Sequence, residues 1–359
     1  MKDHPITYFL GANSAQGFAS LYAQWIDQSR AQAFYAIKGG AGCGKSTLMA
    51  GIARSLEAQG YAVEYIRCSG DPDSLDGISI PGKGAAMVDG TAPHRIDPAY
   101  PGATGHYVDL GAGYDRKALF PLREKIVAAA RAYQVCYPQA YRRFQAAAES
   151  LRRGRAPLHT EGAAEKTKKR AAALLQREAG GDRPGRGRVS RRFLGGLTCK
   201  GSLLLEDTVS ALCDHGYQIR DDCGLADLLL RELEAGFLDR GCDVVACPDP
   251  MRPERLAHLL VPERKAAFLT GPVSGLDCRT IRTESLVDKE TWREGRGFLR
   301  LSLRVAEELV EEGIGFLAQA KARHDELEDL YHPHVDFSLC QDLTDRLTRE
   351  ILALPDVPD

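Results

Sequence analysis

Nine consecutive residues carry the strongest chemical pattern in the chain: Gly39-Gly40-Ala41-Gly42-Cys43-Gly44-Lys45-Ser46-Thr47, a G-x-x-x-x-G-K-[ST] run of the Walker A type. These residue types suit the holding of a phosphate chain. A triphosphate carries several negative charges that must be met by closely packed donors, and glycines let the backbone approach. Loop N–H groups and the positive end of a following helix then surround the β-phosphate, while the Lys45 ammonium spans β- and γ-oxygens. The Ser46 hydroxyl is the expected first anchor for Mg²⁺. Nothing in the loop selects ATP over GTP.

Magnesium needs a second protein anchor. Ala85-Ala86-Met87-Val88-Asp89 is an apolar run ending in a carboxylate, so Asp89 is expected at the metal; Asp71, Asp73 and Asp76 form a rival group whose ordinary use is turn chemistry. Gly90 occupies the position where many hydrolysing phosphate-loop proteins place a water-polarising Glu. The base is therefore open among His94, Asp73 and Asp71, with Arg95 and Asp97 in the same polar loop. Lys45, Asp89, His94 and Asp73 are the expected catalytic residues.

The elements that must position these groups can be read locally. Phe34-Tyr35-Ala36-Ile37-Lys38 is a short apolar strand, and Leu48, Met49, Ile52 and Leu56 recur on one face of a helix after the loop. Strand, glycine loop and helix is the setting that phosphate binding requires.

The order of motifs then recurs. Phe9-Leu10-Gly11 reappears as Phe193-Leu194-Gly195, Gly60-Tyr61-Ala62-Val63 as Gly241-Cys242-Asp243-Val244, Asp71-Pro72 as Asp249-Pro250, and Ala86-Met87-Val88-Asp89-Gly90 as Ala267-Phe268-Leu269-Thr270-Gly271. This predicts a tandem duplication. In the second copy Gly39 and Gly40 become Asp221 and Asp222, Lys45 becomes Asp227, Ser46 becomes Leu228 and Asp89 becomes Thr270. Repulsion replaces attraction, a swing of up to about 8 kcal/mol for one charge pair near 4 Å, so the second half should not hold a triphosphate in the usual way.

Each copy ends in helical sequence, with breaks predicted at Tyr137-Pro138 and between Gly313 and Gly315. His324 and Glu328 stand one helical turn apart, as metal ligands can, but a solvated helix face is the favoured reading. Residues 151–192 hold thirteen Lys and Arg against four Asp and Glu. That basic stretch reads as a flexible linker that could meet nucleic-acid phosphates, but it has no interleaved aromatics, and docking on the acidic body or solvation is favoured.

The 359 residues exceed one small core, and a net charge of -2 with 44% hydrophobic residues excludes a chain devoted to coating nucleic acid or disordered throughout. The ten scattered cysteines contain no C-x-x-C pair, so free thiols and no structural zinc are expected. No apolar run reaches membrane-spanning length and no leader pattern is visible, which predicts a cytoplasmic protein without a membrane partner.

The chain resembles an uncharacterised group of bacterial P-loop ATPases with two P-loop-like halves. The resemblance rests on Phe9-Leu10-Gly11-Ala12-Asn13, the 39–47 loop, Cys68-Ser69-Gly70-Asp71-Pro72-Asp73-Ser74-Leu75-Asp76-Gly77, Asp89-Gly90-Thr91-Ala92-Pro93-His94 and His324-Asp325-Glu326-Leu327-Glu328. It implies ATPase activity without an established substrate, and more distantly an AAA-type or regulatory arrangement. The sequence expectation is thus an α/β protein made of tandem three-layer P-loop NTPase folds, the second degenerate. Its parts are a phosphate-loop domain over 1–153, a basic flexible linker over 154–190 and a degenerate domain with C-terminal helices over 191–359. The expected function is Mg-dependent ATP binding and hydrolysis as a switch. Phosphate transfer to a small molecule or nucleotide is the alternative, and a nucleotide-stabilised module binding protein or nucleic acid is the third.

Overall fold

Short apolar runs closed by turn residues make the strands of the first half. In the computed structural model, which describes residues 5–92, 96–178, 180–181 and 183–357, they are β1 (Ile6–Phe9), β2 (Gly11–Ser14), β3 (Gly17–Ser20), β4 (Ala33–Lys38), β5 (Glu64–Arg67), β6 (Leu75–Ile80), β7 (Ala85–Asp89) and β8 (Gly105–Asp109). Helix α1 (Lys45–Glu57) follows β4; α2 (Arg116–Leu119), α3 (Arg123–Gln134), α4 (Cys136–Arg155) and α5 (Glu161–Glu178) come after β8. One sheet has the order β1-β5-β6-β7-β4-β8, with β6 antiparallel to both neighbours and the other pairs parallel. Ile37 lies level with Asp89 on one side, and Lys38 with Asp109 on the other. The loop after β4 therefore opens between two neighbouring strand ends, where open α/β sheets place ligands.

The second half repeats this plan with β9 (Val189–Arg191), β10 (Gly195–Thr198), β11 (Gly201–Leu204), α6 (Glu206–Leu212), β12 (His215–Arg220), α7 (Ala226–Asp239), β13 (Val244–Pro248), β14 (Leu256–Val261), β15 (Ala266–Leu269) and β16 (Asp277–Arg282). Its sheet, β16-β12-β15-β14-β13-β9, matches the first strand for strand when read from β9, including the antiparallel β14. Helices α8 (Lys289–Tyr331) and α9 (Ser338–Leu352) complete the described chain. It is an α/β fold with two similarly organised six-stranded sheets, the architecture of a duplication.

The layers differ from the expectation of a separate three-layer sandwich in each half. Long helices cover only the outer face of each sheet among the described residues: α1 and α9 pack on the first, α5 and α7 on the second. The inner faces share one core, with Phe9, Phe34 and Val88 from one half meeting Phe193, Leu260 and Leu269 from the other. Alternate strand positions are apolar on both faces, so each sheet must bury its inner face against something, and the other copy supplies it. Phe9 and Phe193 seal the junction by exchanging two backbone hydrogen bonds of 2.9 Å.

Three local expectations are corrected. The basic stretch expected as a linker contains α5, whose Ala163, Thr167, Ala171 and Leu174 form a buried stripe. Its following arginines pair within the chain, Arg188 with Asp243 at 2.8 Å, Arg191 with Glu234 at 2.7 Å and Arg192 with Glu64 at 3.0 Å. The predicted break at Gly313 to Gly315 is also missing, because α8 runs through it unbroken. A side chain at Gly313 would place Cβ 2.3 Å from Phe144 of α4, so this glycine permits close helix contact. Finally, α9 lies on the first half, burying Cys340, Leu343, Leu347 and Ile351 beside α1. The earlier break is real: α3 ends before Val135, and Pro138 sits in the first turn of α4, where its missing N–H costs nothing. Among the described residues no helix is long and apolar enough to cross a membrane.

Candidate functional site

Backbone conformation shapes the 39–45 loop. Gly42 and Gly44 have φ of 67° and 88°, and Gly44 caps α1, so the chain turns sharply into the helix at positions that L side chains rarely tolerate. Cys43 is buried beneath the loop, its Sγ 2.4 Å from where a Cβ on Gly39 would stand. Burial raises the pKa of that thiol and Lys45 opposes the shift, leaving it a packing group.

Lys45 folds back over the loop. Its Nζ donates to the carbonyls of Gly39 at 3.0 Å and Gly40 at 2.8 Å and stands 3.7 Å from Asp89 Oδ2. Asp89 has a divided role: Oδ1 accepts from the Thr91 N–H at 2.8 Å and hydroxyl at 2.5 Å, fixing the turn, while Oδ2 faces Lys45. Ser46 Oγ accepts the Leu75 N–H at 3.0 Å, tying α1 to β6, and Thr47 is exposed. Ala41 accepts from the Tyr114 hydroxyl at 3.0 Å. The structure thus brings Lys45, Asp89 and the glycine loop together, with Ser46 at the start of the same helix.

The other expected residues lie elsewhere or outside what is described. His94 and Arg95 fall outside the described residues. Asp73 forms an exposed ion pair with Lys200 on the hairpin of the second half, and that hydrogen bond holds its carboxyl below the usual range, which weakens it as a base. Asp71 accepts from Ser74 at 3.0 Å and lies 3.4 Å from Lys321 of α8. Asp76 is buried and accepts the Tyr22 hydroxyl at 3.0 Å. Asp97 pairs with Lys38 at 2.7 Å.

The residues that sequence reasoning missed come from the far end of the chain. Glu328 Oε1 of α8 accepts the Gly42 N–H at 3.1 Å, and a Cβ on Gly42 would lie 2.9 Å from the His332 ring. Cys340 of α9 sits against Gly44, its Sγ 3.7 Å from the carbonyl oxygen. The pairing of His324 with Glu328 was visible as an i, i+4 spacing; their side chains lie 3.9 Å apart, and with Asp325 their ligand atoms fall within 4.8 Å of one another. Nothing local in that spacing points to Gly42. Beside the loop a cleft of about 510 Å³ is lined by Tyr114, Arg116, Phe120, Arg123 and Tyr331.

The equivalent loop of the second half is self-satisfied. Asp221 Oδ1 accepts the N–H groups of Leu225 at 2.8 Å and Ala226 at 3.0 Å. Arg155 at the end of α4 donates to the carbonyls of Asp222 at 3.0 Å and Asp221 at 2.8 Å, and His159 contacts the Cys223 carbonyl at 2.8 Å. Burial raises the Asp221 pKa and Arg155 pulls it back. Asp227 Oδ1 accepts from Leu256 N at 2.7 Å and Arg231 at 3.0 Å, so the position equivalent to Lys45 ties the helix to β14. Each loop is therefore met by a charged residue and a histidine four positions later: Glu328 and His332 on the first, Arg155 and His159 on the second.

A family model described as Nephrocystin 3, N-terminal, matches residues 19–79, a stretch that includes β4, the glycine loop, α1 and β5. This overturns the resemblance to the uncharacterised bacterial P-loop ATPases: the segment carrying the loop is similar to a different family. The match spans a minority of the chain. No curated protein and no solved structure matches it.

Proposed function

We propose that the first half binds Mg-ATP at residues 39–47 and hydrolyses it slowly, as a switch acting on the relation between the halves or on a protein partner. The observation that carries this reading is the placement of Lys45: one ammonium spans the loop carbonyls and stands opposite Asp89 at the mouth of a left-handed glycine turn. A cation stored over a concave backbone is poised to exchange carbonyl partners for phosphate oxygens. On this reading the finer fold is that of a P-loop NTPase, duplicated and degenerate in its second copy.

The donor set fits magnesium, since the Ser46 hydroxyl and the Asp89 carboxylate are hard oxygen ligands. These two residues would hold the ion, which when bound offsets phosphate charge. Lys45 and the loop N–H groups bind and orient the phosphates. Slow turnover is the expectation because Gly90 stands where many hydrolysing phosphate-loop proteins carry a water-polarising Glu, and the candidate bases Asp73 and Asp71 are paired with Lys200 and Lys321.

Calorimetry with MgATP tests the reading. The intact protein should bind, and Lys45→Met should weaken binding by about a thousandfold, the equivalent of one charge pair near 4 Å at roughly 4 kcal/mol. Absence of heat with well-folded protein refutes the proposal. Phosphate release without an added acceptor supports hydrolysis, whereas ADP formation that depends on an acceptor moves the assignment to phosphotransfer.

A further inference from the structure

The Glu328 carboxylate stands where a phosphate oxygen belongs. It accepts the N–H of Gly42, a left-handed residue in the middle of the glycine loop, and it arrives from 286 residues away at the end of α8. A carboxylate and a phosphate oxygen compete for one N–H, and a fixed negative charge there repels a polyanion. Resting on the proposed nucleotide site, we infer that Glu328 is a built-in competitor of the nucleotide, so that binding requires its carboxylate to leave the loop.

The second loop shows the same device in permanent form. There the carboxylate of Asp221 takes two N–H groups only 4 and 5 residues onward in the chain, a local side-chain cap at the start of α7. Arg155, delivered by α4, lies over that acidic loop as Glu328, delivered by α8, lies over the cationic one. Opposite charges on equivalent loops are each met by their complement from the antiparallel helix pair. Glu328 differs from Asp221 in being displaceable: it is half-buried on a helix surface, and rotation about its own side-chain bonds frees Gly42 without unfolding anything. His332, one turn on and beside the same glycine, keeps the end of α8 close to the vacated position.

Titrating MgATP calorimetrically into the full chain and its Glu328→Gln and Glu328→Ala variants tests this. Glu328→Gln keeps an acceptor but removes the charge, and Glu328→Ala removes both. Both variants should bind at least tenfold more tightly than the unmodified protein, equivalent to about 1.4 kcal/mol. Glu326→Gln, the same charge change at an exposed position of the same helix, should stay within twofold and so separates a local competitor from a general field. Equal or weaker binding by both Glu328 variants, with the unmodified protein still binding, overturns the competitor role and leaves the nucleotide site standing. No heat from any of the proteins overturns the site itself and the inference with it.

Discussion

Two glycines in α8 separate a packed helix crossing from a helix break. Changing Gly to Ala within an exposed helix gains about 1 kcal/mol through backbone entropy. At Gly315 a new Cβ meets nothing within 4 Å, so that gain is the whole effect. At Gly313 the new Cβ would lie 2.3 Å from Phe144 Cε1 and 2.8 Å from Cδ1, against an ordinary carbon contact of about 3.5–4.0 Å. Phe144 is fully buried and has no free direction in which to retreat. Overpacking of this kind costs typically about 1–3 kcal/mol, so Gly313→Ala should be destabilising by about 1 kcal/mol net and differ from Gly315→Ala by about 2 kcal/mol. Urea unfolding reads this as midpoints moving in opposite directions at constant slope. Adding Phe144→Leu to Gly313→Ala should recover part of the loss, since contacting residues couple. If Gly313→Ala stabilises the protein as Gly315→Ala does, α8 is not seated on α4 at this point, and the route that brings Glu328 to the glycine loop loses its support.

The stability of the second half should fall in acid through His258, which is buried in β14 and accepts the Thr270 N–H at 3.3 Å. Burial pushes its pKa down to about 4, with Asp249 opposing. A folded pKa below the unfolded value near 6.5 gives a stabilising contribution that is present above pH 6.5 and lost as pH falls through 4, up to roughly 3 kcal/mol. Urea midpoints between pH 7 and pH 4 should show this slope, and His258→Asn should flatten it; an unchanged slope places the acid sensitivity elsewhere. Asp227→Ala should leave MgATP affinity within about twofold while lowering stability by about 1–2 kcal/mol, because Leu256 N–H and Arg231 lose their acceptor. A large change in affinity contradicts an inactive second loop.

What was legible in the sequence was local or repeated. The glycine loop, its preceding strand and following helix depend on residues within a dozen positions, and β4 and α1 stand where the apolar spacing puts them. The duplication was legible because two copies preserve one order of motifs, and the matched sheets follow from it. The acidic residues Asp221, Asp222 and Asp227 at the positions of Gly39, Gly40 and Lys45 were equally plain from residue types. The helical content of residues 161–178 was masked by the surrounding arginines and glycines, although its buried stripe has ordinary helical spacing. Gly313 misled in the opposite way: a glycine in a helix signals a stop until the facing Phe144 shows that it makes room.

Only the tertiary structure decided what fills each loop. Period and propensity act over a few residues, whereas the contact of Glu328 with Gly42 and that of Arg155 with the acidic loop depend on where two long helices end after crossing. No spacing in the chain encodes that distance. Likewise the closure of the two inner sheet faces on one core, and the return of α9 to the helix layer of the first half, follow from apolar surfaces that each half leaves unburied by itself. The sequence by itself determined the residue types of the glycine loop and the repeat; packing of those leftover surfaces determined that the two halves share a core and that the end of α8 lies against the glycine loop.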